Sequence, residues 1–271
     1  MIRDVKDGSV FRNLKYFEDN PEAFAAMFYS DAVELVNPLG AARGKHKVVQ
    51  IFFSLAEIPK IQRSQVDRMQ LAMIVREKLL KKYGIAKIYK ILIDDLKKLE
   101  EGIDIDLPFP RTVKCGVLLH SGDNLESHSV GGFSTNFSSR DVCRFCHAQY
   151  EDLVANIHGL DDEVPHRGWT LEEYNNIIDS IEEDQNQTEE PDESVNFPVS
   201  NFEEHLFDEF DEPEDIEDLD SEVESEEEEE GEERKKTFGL RHRCPFNALH
   251  AFHAVYSFPP DILHDLMEGK I

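Results

Sequence analysis

Runs of apolar residues predict three β-strands in the first third of the chain. The runs cover residues 24–35, 48–55 and 69–75, and they are rich in the β-branched and aromatic side chains that half-buried strands favour. The residues between the first two runs, Asn37 to Gly40, have the composition of a turn. Because the connections are short, the three strands are predicted to form an antiparallel meander.

A different apolar period follows and predicts one long helix between Gly84 and Gly102. Its apolar positions, three or four residues apart, are Ile85, Ile88, Leu92, Leu96 and Leu99. The next apolar run, residues 112–119, predicts a fourth strand. A helical crossover of this kind returns the strand parallel to an earlier one, so we expect a mixed sheet in an α/β fold.

Acidic residues occur at the ends or faces of these apolar elements. Asp31 is an acid on an otherwise apolar face of the first strand, and Asp123 follows the fourth strand. The carboxyl end of an interior strand is a common place for chemistry in open α/β sheets, although Gly122-Asp123-Asn124 is also ordinary turn sequence. If the fourth strand pairs with the first, Asp31 and Asp123 approach each other.

Glu268 is a third acid of this kind, at the end of a predicted helix over residues 261–268. Carboxylate clusters hold Mg²⁺, which prefers oxygen ligands and keeps waters that a substrate phosphate can replace. Two such ions activate the attacking oxygen and stabilise the leaving oxygen in phosphodiester displacement. The competing interpretation is that Asp31, Asp123 and Glu268 are unrelated surface acids among the 57 acidic residues of the chain.

A second group of residues has the chemistry of a zinc site. Cys143 and Cys146 are separated by two residues, a spacing that lets one loop offer two thiolates to tetrahedral Zn²⁺. The late histidines His250, His253 and His264 could supply the other ligands. Redox pairs share this cysteine spacing, and chance grouping is the third interpretation.

The net charge of −28 comes from one segment of the chain. Residues 179–233 hold 28 of the 57 acidic residues and no lysine or arginine, which leaves 29 acids against 29 bases elsewhere. The remainder of the chain is therefore neutral overall, and its charge does not exclude a nucleic-acid partner. A segment with so few apolar groups and so much like charge is predicted to be disordered.

The use of cysteine and the hydropathy pattern point to an intracellular protein. The chain has four cysteines and begins without the apolar region of a signal peptide, so we expect no disulfides. No run approaches the ~20 apolar residues that span a bilayer, so no membrane partner is expected.

Four stretches of the sequence resemble the core of CACTA-type (En/Spm-like) DNA transposases. They are residues 29–59, residues 113–133, the CRFCH motif at 143–147 and FPPDILHDLMEG at 258–269. The resemblance implies a ribonuclease H-like fold, a DDE triad of metal-binding acids and a zinc-binding insertion between the second acid and the glutamate. It places the triad on Asp31, Asp123 and Glu268, and the paired cysteines on Cys143 and Cys146.

For the histidine half of the zinc site, the resemblance favours His253 and His264, with His250 as the substitute. The implied protein is a nuclear transposase with Mg²⁺ (or Mn²⁺) and Zn²⁺ as cofactors. Its partners are the transposon ends, target DNA and a possible second copy of itself. Because the chain ends just after Glu268, we expect a fragment or decayed copy of a longer transposase. The alternative function is that of a transposon-derived, non-catalytic nuclear protein that binds DNA or chromatin.

These interpretations divide the chain into five predicted parts. They are an N-terminal segment (1–23), the first part of the core (24–133), a zinc-binding insertion (134–178), an acidic disordered segment (179–236) and a return to the core (237–271).

Overall fold

The computed structural model describes residues 4–35, 46–106, 108–137, 140–141, 143–147, 149, 168–188 and 237–260. Within these residues the strands are Phe24–Glu34 (β1), Lys47–Leu55 (β2), Gln70–Arg76 (β3), Ile103–Ile105 (β4), Arg111–Val113 (β5) and Cys115–Ser121 (β6). The α-helices are Ser9–Asn13 (α1), Lys15–Asp19 (α2), Glu77–Tyr83 (α3), Ile85–Glu101 (α4), Asn124–Gly131 (α5), Leu171–Thr188 (α6) and Ala254–Ser257 (α7). Short 3₁₀ helices cover Val5–Asp7, Val66–Arg68 and Pro245–Ala248.

The described part of the chain is a mixed α/β structure built on one four-stranded sheet in the order β3-β2-β1-β6. Strands β1 and β2 pair antiparallel, as do β2 and β3, whereas β6 pairs parallel to β1. The predicted meander and the parallel return after a helix are therefore confirmed. The partner of the returning strand is β1, the case in which the sequence predicts that Asp31 and Asp123 approach each other.

The predicted crossover helix is also confirmed, as α4. Gly84 precedes it with φ 79° and Gly102 follows it with φ 115°, backbone conformations that glycine adopts without steric strain. Ile88 and Leu96 are buried in the core, as the apolar period predicts. Burial of this one face holds α4 against the sheet.

The sheet has a hydrophobic cluster on each face. On β1, Ala26 and Phe28 contribute to the larger cluster, which includes residues of α4 and α6. Ala25 alternates with them and contributes to the smaller cluster, which includes Tyr16 and Phe17 of α2. The N-terminal segment, residues 1–23, thus contributes helices that cover one face of the sheet.

One predicted strand is divided in the structure, and one helix has no counterpart among the predictions. The run predicted as one strand over residues 112–119 is interrupted at Lys114, with β5 pairing to β4 in a separate two-stranded sheet. The residues after β3 form α3, whose apolar residues Leu79 and Leu80 pack against the larger cluster. No capping hydrogen bond from the Arg76 side chain marks the start of α3.

Helix α6 begins with a capping box, which the spacing of Thr170 and Glu173 in the sequence predicts. The hydroxyl of Thr170 accepts a hydrogen bond from the backbone N–H of Glu173 at 3.2 Å, and the Glu173 carboxylate accepts from the Thr170 N–H at 3.2 Å. The helix then continues to Thr188, past Asp179 where disorder was predicted to begin. The apolar spacing explains the difference, because Ile178 and Ile181 still pack against the larger cluster.

Thr170→Ala is expected to destabilise the protein by about 1 kcal/mol, because the Glu173 N–H loses its side-chain acceptor. The free energy of unfolding from urea titration measures the loss. Thr170→Ser keeps an acceptor oxygen and serves as the matched control. A cost in the serine variant equal to that in the alanine variant would mean that the cap does not stabilise α6.

Residues 237–260 return to the core and pack beside α4 and β6. Phe246 is fully buried in the larger cluster, with its ring 5.8 Å from Phe28 and 6.0 Å from Tyr89. The buried ring of His120 lies between Phe246 and Phe258, and burial lowers its pKa to about 3. The sequence of residues 247–255 predicts one short helix, but the structure has the 3₁₀ helix Pro245–Ala248 and α7, with Leu249 to His253 between them.

A buried carboxylate of α4 anchors this returning segment. The two oxygens of Glu100 accept hydrogen bonds from the backbone N–H groups of His250 and Ala251, both at 2.8 Å. Burial raises the pKa of Glu100, and the two N–H groups act in the opposite direction. The contact joins positions 150 residues apart in sequence.

Glu100→Ala is therefore expected to lower the free energy of unfolding by about 2 kcal/mol, because it leaves two backbone N–H groups without their acceptors. Glu100→Gln keeps one carbonyl acceptor and is expected to lose about half as much. Urea titration measures both variants. Glu101→Ala, which removes the adjacent exposed glutamate of the same helix, is the matched control. An equal effect of Glu100→Ala and Glu101→Ala would contradict the anchoring role.

Contacts divide the chain into two compact units. The first comprises Met1–Ile181 with Thr237–Ile271, and the second is Glu182–Lys236. Of the second unit the structure describes only residues 182–188, the end of α6.

Candidate functional site

The parallel pairing of β1 with β6 brings Asp31 and Asp123 to the same edge of the sheet. The last registered pair of these strands is Tyr29 with Ser121. Asp31 and Asp123 each lie two residues further along the chain. Because neighbouring strands are about 4.8 Å apart, this register places the two acids beside each other.

Asp123 is held by the helix that follows it. It is the N-cap of α5, and its Oδ1 accepts a hydrogen bond from the backbone N–H of Glu126 at 2.7 Å. The amino end of a helix favours a negative charge. The two interpretations of Gly122-Asp123-Asn124, a turn and an acid placed for chemistry, are therefore compatible, because the turn fixes the position of the Asp123 carboxylate.

Glu126 is an acid of this site that the sequence analysis did not identify. Its carboxylate accepts a hydrogen bond from the hydroxyl of the fully buried Ser30 at 3.0 Å. Burial raises the pKa of Glu126 to about 7, although the Ser30 hydrogen bond opposes this shift. The negative charges of Asp123, Asp31 and Glu77 raise the pKa of Glu126 further.

Tyr89 of α4 extends this cluster into the core. Its ring is fully buried, and its pKa is raised well above the ordinary value by burial and by the negative charge of Glu126. The negative charge of Glu126 therefore disfavours ionisation of the Tyr89 hydroxyl.

Gly122 is required by the close packing at this edge. A Cβ atom at Gly122 would lie 3.0 Å from the backbone oxygen of Ser30 and 3.3 Å from the side chain of Glu126. Glycine therefore lets the end of β6 lie against β1 while Glu126 reaches Ser30.

A local signal for Glu126 exists in the sequence. Asp123 and Glu126 have the spacing of an N-cap and the third residue of its helix, as in a capping box. In the structure the Glu126 carboxylate instead accepts from Ser30, a residue 96 positions earlier. The spacing could have predicted the helix start, but only the tertiary contact places Glu126 in the acidic cluster.

Glu268 and His264 lie outside the described residues. The predicted third acid of the triad and one predicted zinc ligand therefore stay predictions, as does the helix over residues 261–268. Within the described ranges, no three His, Cys, Asp or Glu side chains form a group that could hold a metal ion.

The paired cysteines lie close to each other. The Sγ atoms of Cys143 and Cys146 are 3.4 Å apart, near the separation of about 3.8 Å that Zn–S bonds of about 2.3 Å and a tetrahedral angle require. The contact with the Cys146 thiol lowers the pKa of Cys143 to about 6. A thiolate at neutral pH suits either zinc binding or redox chemistry.

The structure does not place His250 or His253 in a group with both cysteines. The ring of His253 packs on Tyr174, and its Nδ1 accepts a hydrogen bond from the backbone N–H of Val255 at 3.2 Å, which caps α7. Burial, and secondarily the charge of Arg243, lower the pKa of His253 to about 4. His250 is exposed next to Glu100. The histidine half of the zinc site stays a prediction.

Comparison with known proteins finds no matching family model and no matching curated protein. None of the helices that the structure describes is long and apolar enough to cross a membrane.

Proposed function

We propose that this chain is the catalytic core of a CACTA-type DNA transposase with a ribonuclease H-like fold. It would cut and join DNA by metal-dependent phosphodiester hydrolysis and strand transfer. The observation that carries the proposal is the parallel register of β1 and β6, which brings Asp31 and Asp123 together. The resemblance of the sequence to these transposases supports the same pair.

The strand order supports the ribonuclease H-like part of the proposal. A three-stranded antiparallel meander, a helical crossover and a fourth strand parallel to the first make up the core arrangement of that fold. The chain has these elements in this order, with β6 next to β1 and α4 in the connection. A fold alone hosts many functions, so the acids at the sheet edge carry the argument about chemistry.

The donor atoms at this edge suit a divalent cation. Asp31 and Asp123 offer carboxylate oxygens, the ligands that Mg²⁺ and Mn²⁺ prefer, and both are partly exposed where a substrate phosphate could reach them. A bound cation would supply Lewis-acid stabilisation of the charge on the phosphate. Glu268 is the proposed third ligand.

The residues of the chain would prepare this site before DNA arrives. Asp123 is oriented by the Glu126 N–H, which leaves its second oxygen available for a cation. Ser30, one residue before Asp31, holds the Glu126 carboxyl by a hydrogen bond. Because the pKa of Glu126 is about 7, the Glu126 carboxyl is protonated in a fraction of the molecules at neutral pH. This protonation reduces its repulsion with Asp31 and Asp123.

Cys143 and Cys146 are proposed to bind structural zinc together with His253 and His264, or with His250 as the substitute. Their sulfur separation fits a shared Zn²⁺. The proposed setting is the nucleus, with transposon ends and target DNA as partners and a homo-oligomer as the possible assembly. The balance of 29 acids and 29 bases outside residues 179–233 is compatible with a DNA-binding surface.

The test is nicking of supercoiled plasmid DNA by the purified chain, followed on an agarose gel. Nicking is expected with Mg²⁺ or Mn²⁺ and is expected to stop in EDTA. A gel-shift assay on the same samples measures DNA binding separately. Binding without nicking at any cation concentration would overturn the catalytic proposal and support the alternative, a transposon-derived DNA- or chromatin-binding protein.

A further inference from the structure

A buried arginine connects the cysteine loop to the carboxylate site. Arg144 lies between Cys143 and Cys146 in sequence, and only 3% of its surface is exposed. Its guanidinium carbon is 4.3 Å from the centre of the Phe145 ring, and its Nη1 donates a hydrogen bond to the Oδ1 of Asn124.

The acceptor of this hydrogen bond is next to a proposed cation ligand. Asn124 is the first residue of α5 and directly follows Asp123, the N-cap. Its side chain is also buried. Cys143 is therefore connected to Asp123 through two residues. Arg144 directly follows Cys143 in the chain, and it donates a hydrogen bond to Asn124, which directly follows Asp123.

The burial of Arg144 makes this connection stiff. Taking a guanidinium out of water is costly, and the charge is tolerated only where its position is fixed by close partners. The guanidinium packs on the Phe145 ring of its own loop and donates a hydrogen bond to Asn124, so a displacement of the cysteine loop must move Asn124 or break this hydrogen bond.

We propose that Arg144 is a positioning residue that couples metal binding at the cysteine pair to the carboxylate site. With zinc bound by Cys143 and Cys146, the ordered loop would hold Arg144 against Asn124, and Asn124 would keep Asp123 in position for a divalent cation. The inference rests on the proposed function, because it takes the Asp31 and Asp123 edge as the cation site.

The experiment measures the affinity of the full chain for Mn²⁺ by electron paramagnetic resonance, with and without one equivalent of Zn²⁺. In the wild-type chain Zn²⁺ is expected to tighten Mn²⁺ binding at least about fivefold, the lower end of ordinary coupling between sites. Arg144→Gln, Asn124→Ala and the double variant are all expected to reduce this factor to about one. Equal loss in the single and double variants is the sign that both residues act through one contact.

Two controls separate coupling from general damage. Arg140→Gln removes an exposed arginine near the same loop and is expected to keep the zinc effect. Cys143→Ser is expected to abolish it. A purely structural role of Arg144 would lower stability while leaving the zinc effect intact, so a persisting effect in Arg144→Gln overturns the proposal. If the wild-type chain binds Mn²⁺ but Zn²⁺ does not change this affinity, the proposal is overturned as well.

A second readout distinguishes this inference from the proposed function. If the wild-type chain binds no Mn²⁺, the proposed cation site fails, and hydrogen exchange of the Glu126 amide decides the coupling. This amide donates to Asp123, so Zn²⁺ is expected to slow its exchange in the wild-type chain but not in Arg144→Gln. Equal slowing in both proteins, or slowing in neither, would overturn the inference.

Discussion

Asp31→Asn and Asp123→Asn are each expected to reduce metal-dependent plasmid nicking by at least about 100-fold. Loss of a residue that only supports a metal ligand commonly costs 10- to 100-fold, and loss of a ligand itself costs at least as much. Asparagine keeps the size of the side chain but removes its negative charge. At position 123 it also keeps an oxygen that can cap α5, so the fold is expected to survive.

The measurement is the initial rate of nicking at saturating Mg²⁺, with circular dichroism as the check on folding. Asp95→Asn is the matched control, because Asp95 is exposed on α4 and pairs only with Lys98 among the ion pairs that the structure describes. Unchanged nicking in Asp123→Asn would reject the carboxylate site. A loss of similar size in Asp95→Asn would point to general damage instead.

Glu126→Gln is expected to stabilise the protein at pH 8 by about 3 kcal/mol and to leave it almost unchanged at pH 4. Burial raises the pKa of Glu126 from 4.5 to about 7 in the folded chain, and the neighbouring acids Asp123, Asp31 and Glu77 act in the same direction. Between these two values the folded chain holds more protons than the unfolded chain. Stability is therefore lost as the pH rises from about 4.5 to 7, at about 1.4 kcal/mol per unit of pKa difference.

Glutamine resembles the protonated carboxyl and cannot ionise, so it escapes this loss. Its amide oxygen can still accept the hydrogen bond from Ser30. Urea titration in EDTA at pH 4 and pH 8 measures the difference in the free energy of unfolding between Glu126→Gln and the wild-type chain. The other titratable groups are common to both proteins. Glu101→Gln, at the exposed end of α4, is expected to stay within about 0.5 kcal/mol of the wild-type chain at both values. Equal stability of Glu126→Gln and the wild-type chain at pH 8 would show that the ionised carboxyl carries no penalty.

A destabilising ionised acid is what a functional carboxylate cluster is expected to contain. Like charges that are held close together destabilise the folded protein, and a bound cation that neutralises them removes this destabilisation. Glu126→Gln therefore links the stability measurement to the proposed function. At pH 8 Glu126→Gln is expected to be more stable than the wild-type chain in the absence of a cation. This difference is expected to become smaller when Mg²⁺ is added, because the cation stabilises the wild-type cluster.

The local elements of the core follow from the sequence because their signals are local. Apolar runs rich in β-branched and aromatic residues predict β1, β2 and β3, and a period of three to four between Gly84 and Gly102 predicts α4. Thr170 and Glu173 predict the start of α6, since both partners of a capping box lie within one turn. The end of α6 was misplaced because its acidic composition hides the continuing apolar spacing at Ile178 and Ile181.

The N-terminal helices show where composition misleads. Residues 1–23 are polar and mixed in sequence, yet Tyr16 and Phe17 are buried against the sheet. Short helices have weak periodic signals, and their stability comes from packing on the rest of the fold. The sequence of such a segment cannot show which surface it covers.

The sequence by itself determined the order of the core elements, from β1, β2 and β3 through α4 to the strand that ends before Asp123, and the place of Asp31 on β1, because periodicity and turn chemistry act over a few residues. The choice of β1 as the partner of β6 was decided by the tertiary structure, because strand pairing depends on which faces the whole chain buries. The same holds for the contacts of Glu126 with Ser30, Glu100 with His250 and Ala251, and Arg144 with Asn124. These contacts join residues from 20 to 151 positions apart, and no local pattern carries information over that distance.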